Sequence, residues 1–366
     1  MTQRRIPAVY MRGGTSRCLV FQERDLPVPG AERDRILLAA LGSPDPYGRQ
    51  LNGIGGGISS LSKACIIGPA SYPGADVDYT FAQVEVSKPV VDYSGNCGNC
   101  SSSVGPFAID EGLVPAADGE TIVRIHNTNT KKVIVAHVPV ANGEAAVEGD
   151  FELPGVAGRG ARIALDFLDP GGAGTGRLLP TGRAHDGLDG VAVSLVDATN
   201  PVVFVRAADL GLTGTESPQA LDADTALCAR LEHIRTMAAE LTGIPRSAAN
   251  PKIALVAPPA SFAALDGTRY ADDRIDVLAR VISMGNCHRA VPLTSAMCLA
   301  VAARIEGTVV WDCDTSRGKG DVRVGHPSGV LPIAAAVSAR DGQRYADHVT
   351  VYRTARRLME GFVRVP

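Results

Sequence analysis

The run of residues 94–103, SGNCGNCSSS, is the densest group of side chains that could do chemistry. Its glycines let backbone N–H groups approach a ligand closely, and a predicted helix begins inside the run. The unpaired N–H groups and the positive end of the helix dipole suit a carboxylate ligand and favour a cysteine thiolate. We therefore predict that Cys97 is an acid/base group. Three neighbours are predicted to contact an anionic ligand: Asn96, Gly98 and Asn99.

Cys97 and Cys100 also form a C-x-x-C pair, which allows other interpretations. Such a pair can be a redox dithiol, half of a zinc site, or two plain buried cysteines at a tight turn. The chain has no second C-x-x-C and no H-E-x-x-H, so we predict no metal site. We expect Cys100 to be structural, and the redox and buried-cysteine interpretations stay open.

Lysine is scarce in this chain, with six residues against thirty arginines. A desolvated lysine can give up its proton, whereas an arginine guanidinium stays charged. Lys63 ends a loop rich in glycine and serine and precedes an apolar run over 64–67. It could therefore be desolvated and act as a base, and a surface lysine is the alternative. The glycine run over 53–57 lacks the Walker pattern, so no nucleotide site is predicted.

Four further segments combine small residues that expose the backbone with a hydroxyl, an imidazole or a guanidinium. Charge-assisted hydrogen bonds from such groups could hold several carboxylates, although ordinary turns share this composition. The candidate ligand contacts in these segments are Arg12, Thr15, Ser16, Thr181, Gly285, Asn286, His288, His326 and Ser328.

Two predicted helices follow similar tripeptides, Gly95-Asn96-Cys97 and Gly285-Asn286-Cys287. The first is predicted over 98–111 and the second over 291–304. Both carry apolar residues on most sides, which indicates that each is buried inside its own sheet. Short runs rich in valine and isoleucine supply the strands. This recurrence predicts a duplicated α+β architecture with one central helix per half.

The glycine-rich region 171–189 is the predicted joint between the two halves. We therefore place the N-terminal half at 1–183 and the C-terminal half at 184–355. The last residues, 356–366, are predicted to form a strand that returns to the first half.

Composition narrows the functional class. Charged residues make up 20% of the 366, and the formal net charge is −3, which gives no support for a protein that binds nucleic acid or a membrane surface. No window approaches the roughly 20 apolar residues of a spanning helix. The eight cysteines are scattered, as is typical of free thiols in a reducing compartment. We expect a cytoplasmic protein, and the sequence is compatible with a homodimer.

Ordered motifs along nearly the whole chain carry a resemblance to a known family. The sequence resembles the 2-methylaconitate cis–trans isomerase family, PrpF, whose relatives act on 4-oxalomesaconate and 3-methylitaconate. The motifs that carry this resemblance lie at 10–16, 42–48, 62–63, 76–79, 91–99, 104–109, 283–285, 288, 326–329 and 358–361.

The resemblance implies a diaminopimelate-epimerase-like fold. In that fold two pseudo-equivalent halves each wrap a curved mixed sheet around a central helix, and the active site lies in the cleft between them. The resemblance also implies that Lys63 and Cys97 are the acid/base pair, and that Ser62, Ser283 and Met284 join the substrate contacts. The implied reaction is a 1,3-allylic proton shift, or cis–trans isomerisation, of an unsaturated tricarboxylate without any cofactor. The substrate that fits the resemblance best is 2-methylaconitate.

The chain departs from the family pattern near the expected pocket. Asn286 stands where a lysine is expected, Arg289 where a histidine is expected, and Cys100 where an apolar residue is usual. Aconitate and 4-oxalomesaconate therefore stay open as substrates. Two other functional classes stay open as well: an epimerase or racemase with Cys97 and Cys287 as facing thiols, and a carboxylate-binding protein on the same fold.

Overall fold

In the computed structural model, which describes residues 3–93, 95–244, 250–283 and 285–366, the chain divides into two units. The first unit comprises Met1–Phe167 and Tyr352–Pro366, and the second comprises Leu168–Val351. Ser283 and Met284 are two of the predicted substrate contacts. Met284 and the side chain of Ser283 lie outside the described residues.

The first boundary between the units lies earlier in the chain than the predicted joint at 183/184. Gly171 forms a β-bridge with Ala198, and the strand Asp186–Leu188 is hydrogen-bonded to the strand that follows it. The glycine-rich region is therefore built into the sheet of the second unit. Its composition suits tight turns as well as a linker, which is why the sequence placed the joint too late.

Numbered in chain order, the strands are β1 (Arg4–Gly13), β2 (Ser16–Gln22), β3 (Lys63–Pro69), β4 (Val77–Val84), β5 (Val91–Asp92), β6 (Gly119–Asn127), β7 (Lys132–Ala141), β8 (Glu144–Ala145), β9 (Phe151–Glu152), β10 (Arg159–Gly160), β11 (Ile163–Leu168), β12 (Asp186–Leu188), β13 (Val191–Ala198), β14 (Asn200–Arg206), β15 (Lys252–Ala257), β16 (Phe262–Ala263), β17 (Arg269–Tyr270), β18 (Val277–Ser283), β19 (Asn286–Cys287), β20 (Val322–His326), β21 (Gly329–Arg340), β22 (Gln343–Arg353) and β23 (Ala355–Val365). The α-helices are α1 (Ala31–Leu41), α2 (Gly98–Asp110), α3 (Pro218–Ala223), α4 (Thr225–Thr242), α5 (Leu293–Ala302) and α6 (Val309–Cys313).

The first unit is a mixed sheet with strand order β23-β1-β2-β3-β4-β6-β7-β11. The pairs β2–β3 and β4–β6 are parallel, and the other neighbours are antiparallel. Leu37 and Leu41 of α1 belong to one apolar cluster with Ala64 and Ile66 of β3. Because side chains alternate along a strand, Cys65, which lies between Ala64 and Ile66, faces the other side of the sheet. That side is covered by α2, whose residues 100–109 are all buried.

The second unit is a mixed sheet with strand order β12-β13-β14-β15-β18-β20-β21-β22. Here β14–β15 and β18–β20 are the parallel pairs. Leu227 and Leu231 of α4 cluster with Ile253 and Leu255 of β15 on one face. The central helix α5 contacts β13, β14 and β21, and its residues 295–302 are buried.

The two units therefore repeat one topology, strand for strand and in the same directions. In each unit a helix lies in the chain between the two strands of the first parallel pair, α1 between β2 and β3 and α4 between β14 and β15. These helices pack on the face of their sheet opposite to the central helix. In each unit a second helix lies in the chain between the two strands of the second parallel pair, α2 before β6 and α5 before β20. The predicted α+β duplication with one central helix per half is confirmed.

Among the described helices, none combines the length and the apolar character that crossing a bilayer requires.

Candidate active site

Cys97 is the N-cap residue of α2, and its Sγ accepts a hydrogen bond from the backbone N–H of Cys100 at 3.4 Å. The loop that leads to it is held by Asn129, whose Nδ2 donates to the carbonyl of Tyr93 at 2.7 Å. Cys97 itself is half-buried. Its sulfur is therefore fixed at the start of the central helix while the residue keeps some access to solvent.

The surroundings of Cys97 favour its thiolate. A hydrogen bond with the Cys100 thiol is the largest cause, and it helps to lower the pKa of Cys97 to about 6. The positive charge of Lys63 and the N–H groups of Asn99 and Cys100 act in the same direction, whereas burial opposes them. At neutral pH the sulfur is consequently ionised, which is the form that can accept a proton.

Lys63 opens β3 and is 8% exposed. Its Nζ donates to Oε1 of Gln83 at 2.5 Å and lies 5.0 Å from the centroid of the Phe81 ring. The β3–β4 register pairs Lys63 with Gln83, so the sheet itself fixes the partner of the amine. The charge of Lys63 lowers the pKa of Cys97, so the two side chains are close enough to interact electrostatically.

The ionised sulfur of Cys97 predicts the pH dependence of its alkylation. Iodoacetamide reacts with the thiolate and not with the thiol. The alkylation rate at Cys97 should therefore rise as the pH increases through about 6 and level off above that value, whereas an unperturbed cysteine reaches its midpoint at about pH 8.5. Peptide mass spectrometry after timed alkylation measures the midpoint. In Cys100→Ala the midpoint should move upward because the thiol hydrogen bond is lost, and a wild-type midpoint above about pH 8 would contradict the assignment.

The turn between β1 and β2 lies against the first turn of α2. A Cβ on Gly13 would lie 2.6 Å from the carbonyl oxygen of Asn99, and Gly14 has φ of 52°, so both positions favour glycine. Asn99 donates from Nδ2 to Oγ1 of Thr15 at 3.0 Å. Its Oδ1 accepts from Nε of Arg353 at 3.0 Å. Two of the predicted contacts, Thr15 and Asn99, are thus joined at the start of the central helix.

Arg353 is a residue that the sequence analysis missed. It is 5% exposed, and burial lowers its pKa to about 10, while the negative charge of Cys97 opposes that shift. Its hydrogen bonds within the described residues go to Asn99 and to the carbonyl of Tyr352, and none goes to a carboxylate. Arg353 therefore brings a second positive charge to the Cys97 thiolate, and no carboxylate among the described residues pairs with it.

The side chains of Ser62 and Arg12 donate hydrogen bonds to backbone carbonyls of the first unit. The hydroxyl of Ser62 is fully buried and donates to the carbonyl of Val84 at 2.8 Å. Arg12 donates from Nη1 to the carbonyls of Gly14 and Thr354, both at 2.9 Å. Ser62 therefore holds the segment before Lys63, and this geometry does not favour the ligand contact that the resemblance implied.

Asn96 and Ser16 are also engaged within the first unit. Asn96 accepts at Oδ1 from Nδ2 of Asn127 and from the hydroxyl of Ser101, both at 3.3 Å. Ser16 opens β2 and is buried. Gly98 is the first residue of α2 and is half-buried. Among these three, Gly98 is the one whose position at the helix start fits the predicted contact with an anion most directly.

Cys18, Cys65 and Cys100 form a buried thiol group, with sulfur atoms within 4.8 Å of one another. Hydrogen bonds with Cys100 and Cys65 lower the pKa of Cys18, whereas burial raises the pKa of Cys65 and of Cys100. Cys100 links this group to Cys97. Sulfur donors at such spacing could hold a soft metal ion. In the described part of the chain this is the set of side chains whose spacing would suit a metal.

In the second unit, Gly285 has φ of 80° and is followed by the short strand β19. Asn286 is exposed on that strand, and Cys287 is buried. The N–H of Cys287 donates to Oδ1 of Asp222 at 2.6 Å, and its Sγ donates to the carbonyl of His288 at 3.7 Å. Burial raises the pKa of Cys287 to about 12. A protonated, buried thiol is a poor proton acceptor, so this geometry does not favour the facing-thiol interpretation.

His326 is buried at the end of β20, and burial followed by the charge of Arg280 lowers its pKa to about 4. Its Nδ1 accepts from the N–H of Ser328 at 3.2 Å, and the Ser328 hydroxyl donates to the carbonyl of Arg289 at 2.5 Å. Arg280, which the sequence analysis did not single out, is 1% exposed and donates from Nε to the carbonyl of Glu216 at 2.8 Å. The imidazole is therefore neutral beside a buried cation.

Thr181 and His288 are the remaining predicted contacts of the second unit. Thr181 donates from Oγ1 to Oδ2 of Asp186 at 2.7 Å, which ties it to β12. Burial lowers the pKa of His288, and the positive charge of Lys252 adds to the effect. His288 thus lies near a lysine that the sequence analysis had counted but not assigned.

The family profile described as PrpF protein matches residues 3–366. The chain belongs to the PrpF family. Among the relatives of this PrpF chain, 3-methylitaconate isomerase of Eubacterium barkeri is 43% identical, with 99% of this chain and 98% of the relative covered. The 2-methyl-aconitate isomerase of Cupriavidus necator is 42% identical, with 100% and 98% covered. The crystal structure of methylitaconate-delta-isomerase is similar with a TM-score of 0.93 and 42% identity, covering 100% of this chain and 96% of that one.

These similarities confirm three predictions made from the sequence of this PrpF chain. The family is confirmed by a match that spans almost the whole chain. The α+β fold is confirmed by the likeness to a solved isomerase over the full length. The enzyme class is confirmed as well, because the matched relatives are isomerases. The protein is an isomerase.

Proposed function

We propose that this isomerase catalyses a 1,3-allylic proton shift in an unsaturated tricarboxylate, and that 2-methylaconitate is its substrate. The observation that carries the proposal is the lowered pKa of Cys97 at the start of α2, to which the positive charge of Lys63 contributes. The names of the relatives support the substrate class, since one is a 2-methyl-aconitate isomerase and another a 3-methylitaconate isomerase.

We also propose that the protein is cytoplasmic. The eight cysteines support this location because all of them are free thiols.

The chemistry requires one group that removes a proton and one that supplies a proton. A C–H group next to a double bond and a carboxylate is a weak acid, and its deprotonation spreads negative charge through the allyl system onto a carboxylate oxygen. With a thiolate at Cys97 and a positive charge at Lys63, the resting pair is ready for Cys97 to accept the first proton. Lys63 then supplies a proton to the other end of the allyl system. Transfer of the proton from the Cys97 thiol to the Lys63 amine restores the pair.

The intermediate anion needs positive groups that are already in position. Arg353 has no carboxylate partner within the described residues, and its charge interacts with that of Cys97. Preorganised donors of this kind often stabilise a developing anion by several kcal/mol. Rotation about the former double bond in the delocalised anion allows cis–trans exchange. No cofactor enters this scheme, since each proton is carried by a side chain.

The substrate proposal is tested with 2-methylaconitate in deuterium oxide, followed by NMR and ultraviolet absorbance. We expect a shift of the double bond, with deuterium appearing at the allylic terminus. Aconitate, 4-oxalomesaconate and 3-methylitaconate serve as comparison substrates, and 2-methylaconitate should give the highest kcat/KM. Deuterium at a single stereocentre without double-bond movement would instead indicate an epimerase. Conversion of none of these acids would refute the proposal.

A further inference from the structure

The two cysteines of the C-x-x-C pair lie within one turn at the start of the central helix of the first unit. Cys97 is the N-cap residue of α2, and Cys100 is the third residue of that helix. The sulfur of Cys97 lies 3.4 Å from the backbone nitrogen of Cys100. Helical geometry places Cα atoms three residues apart at about 5 Å, and disulfide bonds join Cα atoms that are about 4.4–6.8 Å apart. The helix start therefore holds the pair at a separation that a disulfide can bridge.

Four thiols meet around Cys100, and they differ in their access to solvent. Cys97 is half-buried. The other three, Cys18, Cys65 and Cys100, are buried. The thiol of Cys100 is hydrogen-bonded with each of the other three thiols, so it connects the accessible sulfur to the buried pair. A reagent from solution therefore reaches Cys97 first, and Cys100 is the neighbouring thiol that can respond.

Cys97 and Cys100 differ in protonation state in a way that suits stepwise oxidation. The hydrogen bond with Cys100, and to a smaller extent the charge of Lys63, lowers the pKa of Cys97. Burial raises the pKa of Cys100. A thiolate is the form of cysteine that attacks a peroxide. The pair thus combines an ionised, accessible sulfur with a buried thiol that still carries its proton.

We infer that Cys97 and Cys100 form a reversible oxidation site for peroxides. In the first step the sulfur of Cys97 attacks one peroxide oxygen and the O–O bond breaks. The sulfur is oxidised to a sulfenic acid, and hydrogen peroxide is reduced to hydroxide. In the second step the sulfur of Cys100 attacks the sulfur of Cys97, and the S–O bond breaks. The departing hydroxyl group takes the proton of Cys100, so the products are a disulfide and water.

The disulfide protects Cys97 and stops the enzyme reaction at the same time. A sulfenic acid without a thiol partner is oxidised further to a sulfinic acid, which thiols do not reduce. A disulfide returns to two thiols by thiol–disulfide exchange. The loss of turnover on oxidation rests on the proposed function, because that function uses the Cys97 thiolate as the base. Formation of the disulfide does not depend on it.

The test treats the full chain with hydrogen peroxide and maps the products by mass spectrometry. The wild type should lose two hydrogen atoms, and peptide fragmentation should place the new bond between Cys97 and Cys100. Dithiothreitol should restore the original mass and most of the turnover of 2-methylaconitate. Cys100→Ala removes the responding thiol. Compared with the wild type at an equal loss of turnover, this variant should accumulate a sulfinic acid at Cys97 and regain little turnover with dithiothreitol.

Cys65→Ala is the matched control, because Cys65 is a buried thiol that also contacts Cys100. This variant should still form the bond between Cys97 and Cys100, and dithiothreitol should restore its turnover as fully as that of the wild type. Melting temperatures show whether both variants are folded. The mapping in the wild type needs neither variant, so it tests the disulfide even if one of them misfolds.

Three results would overturn the inference: a sulfinic acid at Cys97 of the wild type without a disulfide, a bond from Cys97 to Cys18 or Cys65, or equal recovery in Cys100→Ala and the wild type. If the disulfide forms but the wild type converts no unsaturated acid, the proposed reaction fails while the oxidation site stands. If 2-methylaconitate is converted but peroxide produces no disulfide, the oxidation site fails and the proposed reaction stands.

Discussion

Replacing Cys97 with serine should lower kcat by about 100-fold or more, because a positioned acid/base group typically contributes that factor. The serine hydroxyl does not ionise at neutral pH, so it cannot accept the proton that the thiolate of Cys97 accepts. Serine is also a good N-cap residue, so α2 should keep its start and the protein its fold. Turnover of 2-methylaconitate, followed by NMR, measures the effect.

Cys287→Ser is the matched control for this experiment. It is a buried thiol whose pKa is raised to about 12, and it has no role in the proposed proton transfer. Its turnover should stay within a few-fold of the wild-type value. Comparable losses in the two variants would restore the facing-thiol epimerase, and near-normal turnover in Cys97→Ser would remove that residue from the mechanism.

Lys63→Ala should also lower kcat by about 100-fold or more, since it removes the second proton-transfer group. The change has a further consequence that a merely structural residue would not produce. Because the charge of Lys63 lowers the pKa of Cys97, the alkylation midpoint of Cys97 should move to higher pH in the variant. Small primary amines added to the buffer should restore part of the turnover by entering the space that the side chain leaves.

Lys88→Ala provides the comparison for Lys63→Ala, because Lys88 is an exposed lysine of the same unit. It should have normal turnover and a normal alkylation midpoint. Melting temperatures of both variants show whether the fold is retained. An unchanged alkylation midpoint in Lys63→Ala would show that the amine and the sulfur do not share a site, and the proposed mechanism would then be wrong.

Local sequence features were sufficient to predict that Cys97 stands at the start of a buried helix. The glycines, the Cys97 thiol and the helix that follows it are adjacent in the chain, and their chemistry depends on neighbours within a few residues. The predicted helix over 98–111 agrees with the observed Gly98–Asp110 within one residue. The second helix begins two residues later than predicted because Pro292 is its N-cap residue, and a proline disfavours helical geometry at the residue before it.

Residues that join the site from distant parts of the chain were not predictable in the same way. Arg353 donates a hydrogen bond to Asn99, which lies 254 residues earlier in the chain. No periodic pattern in the sequence predicts such a contact. Gln83 becomes the partner of Lys63 only through the register of two strands. Long-range pairing is a property of the sheet rather than of any short segment.

The pairing of β1 with β23 has a consequence for how the protein is made. The second unit is one continuous stretch, Leu168–Val351, whereas the first unit includes the last residues of the chain. On the ribosome, β1 is an unpaired sheet edge until β23 emerges, and such edges are prone to pair with other chains. At typical synthesis rates this interval lasts on the order of ten seconds or longer. The nascent chain must therefore protect an open edge while its second unit is being translated.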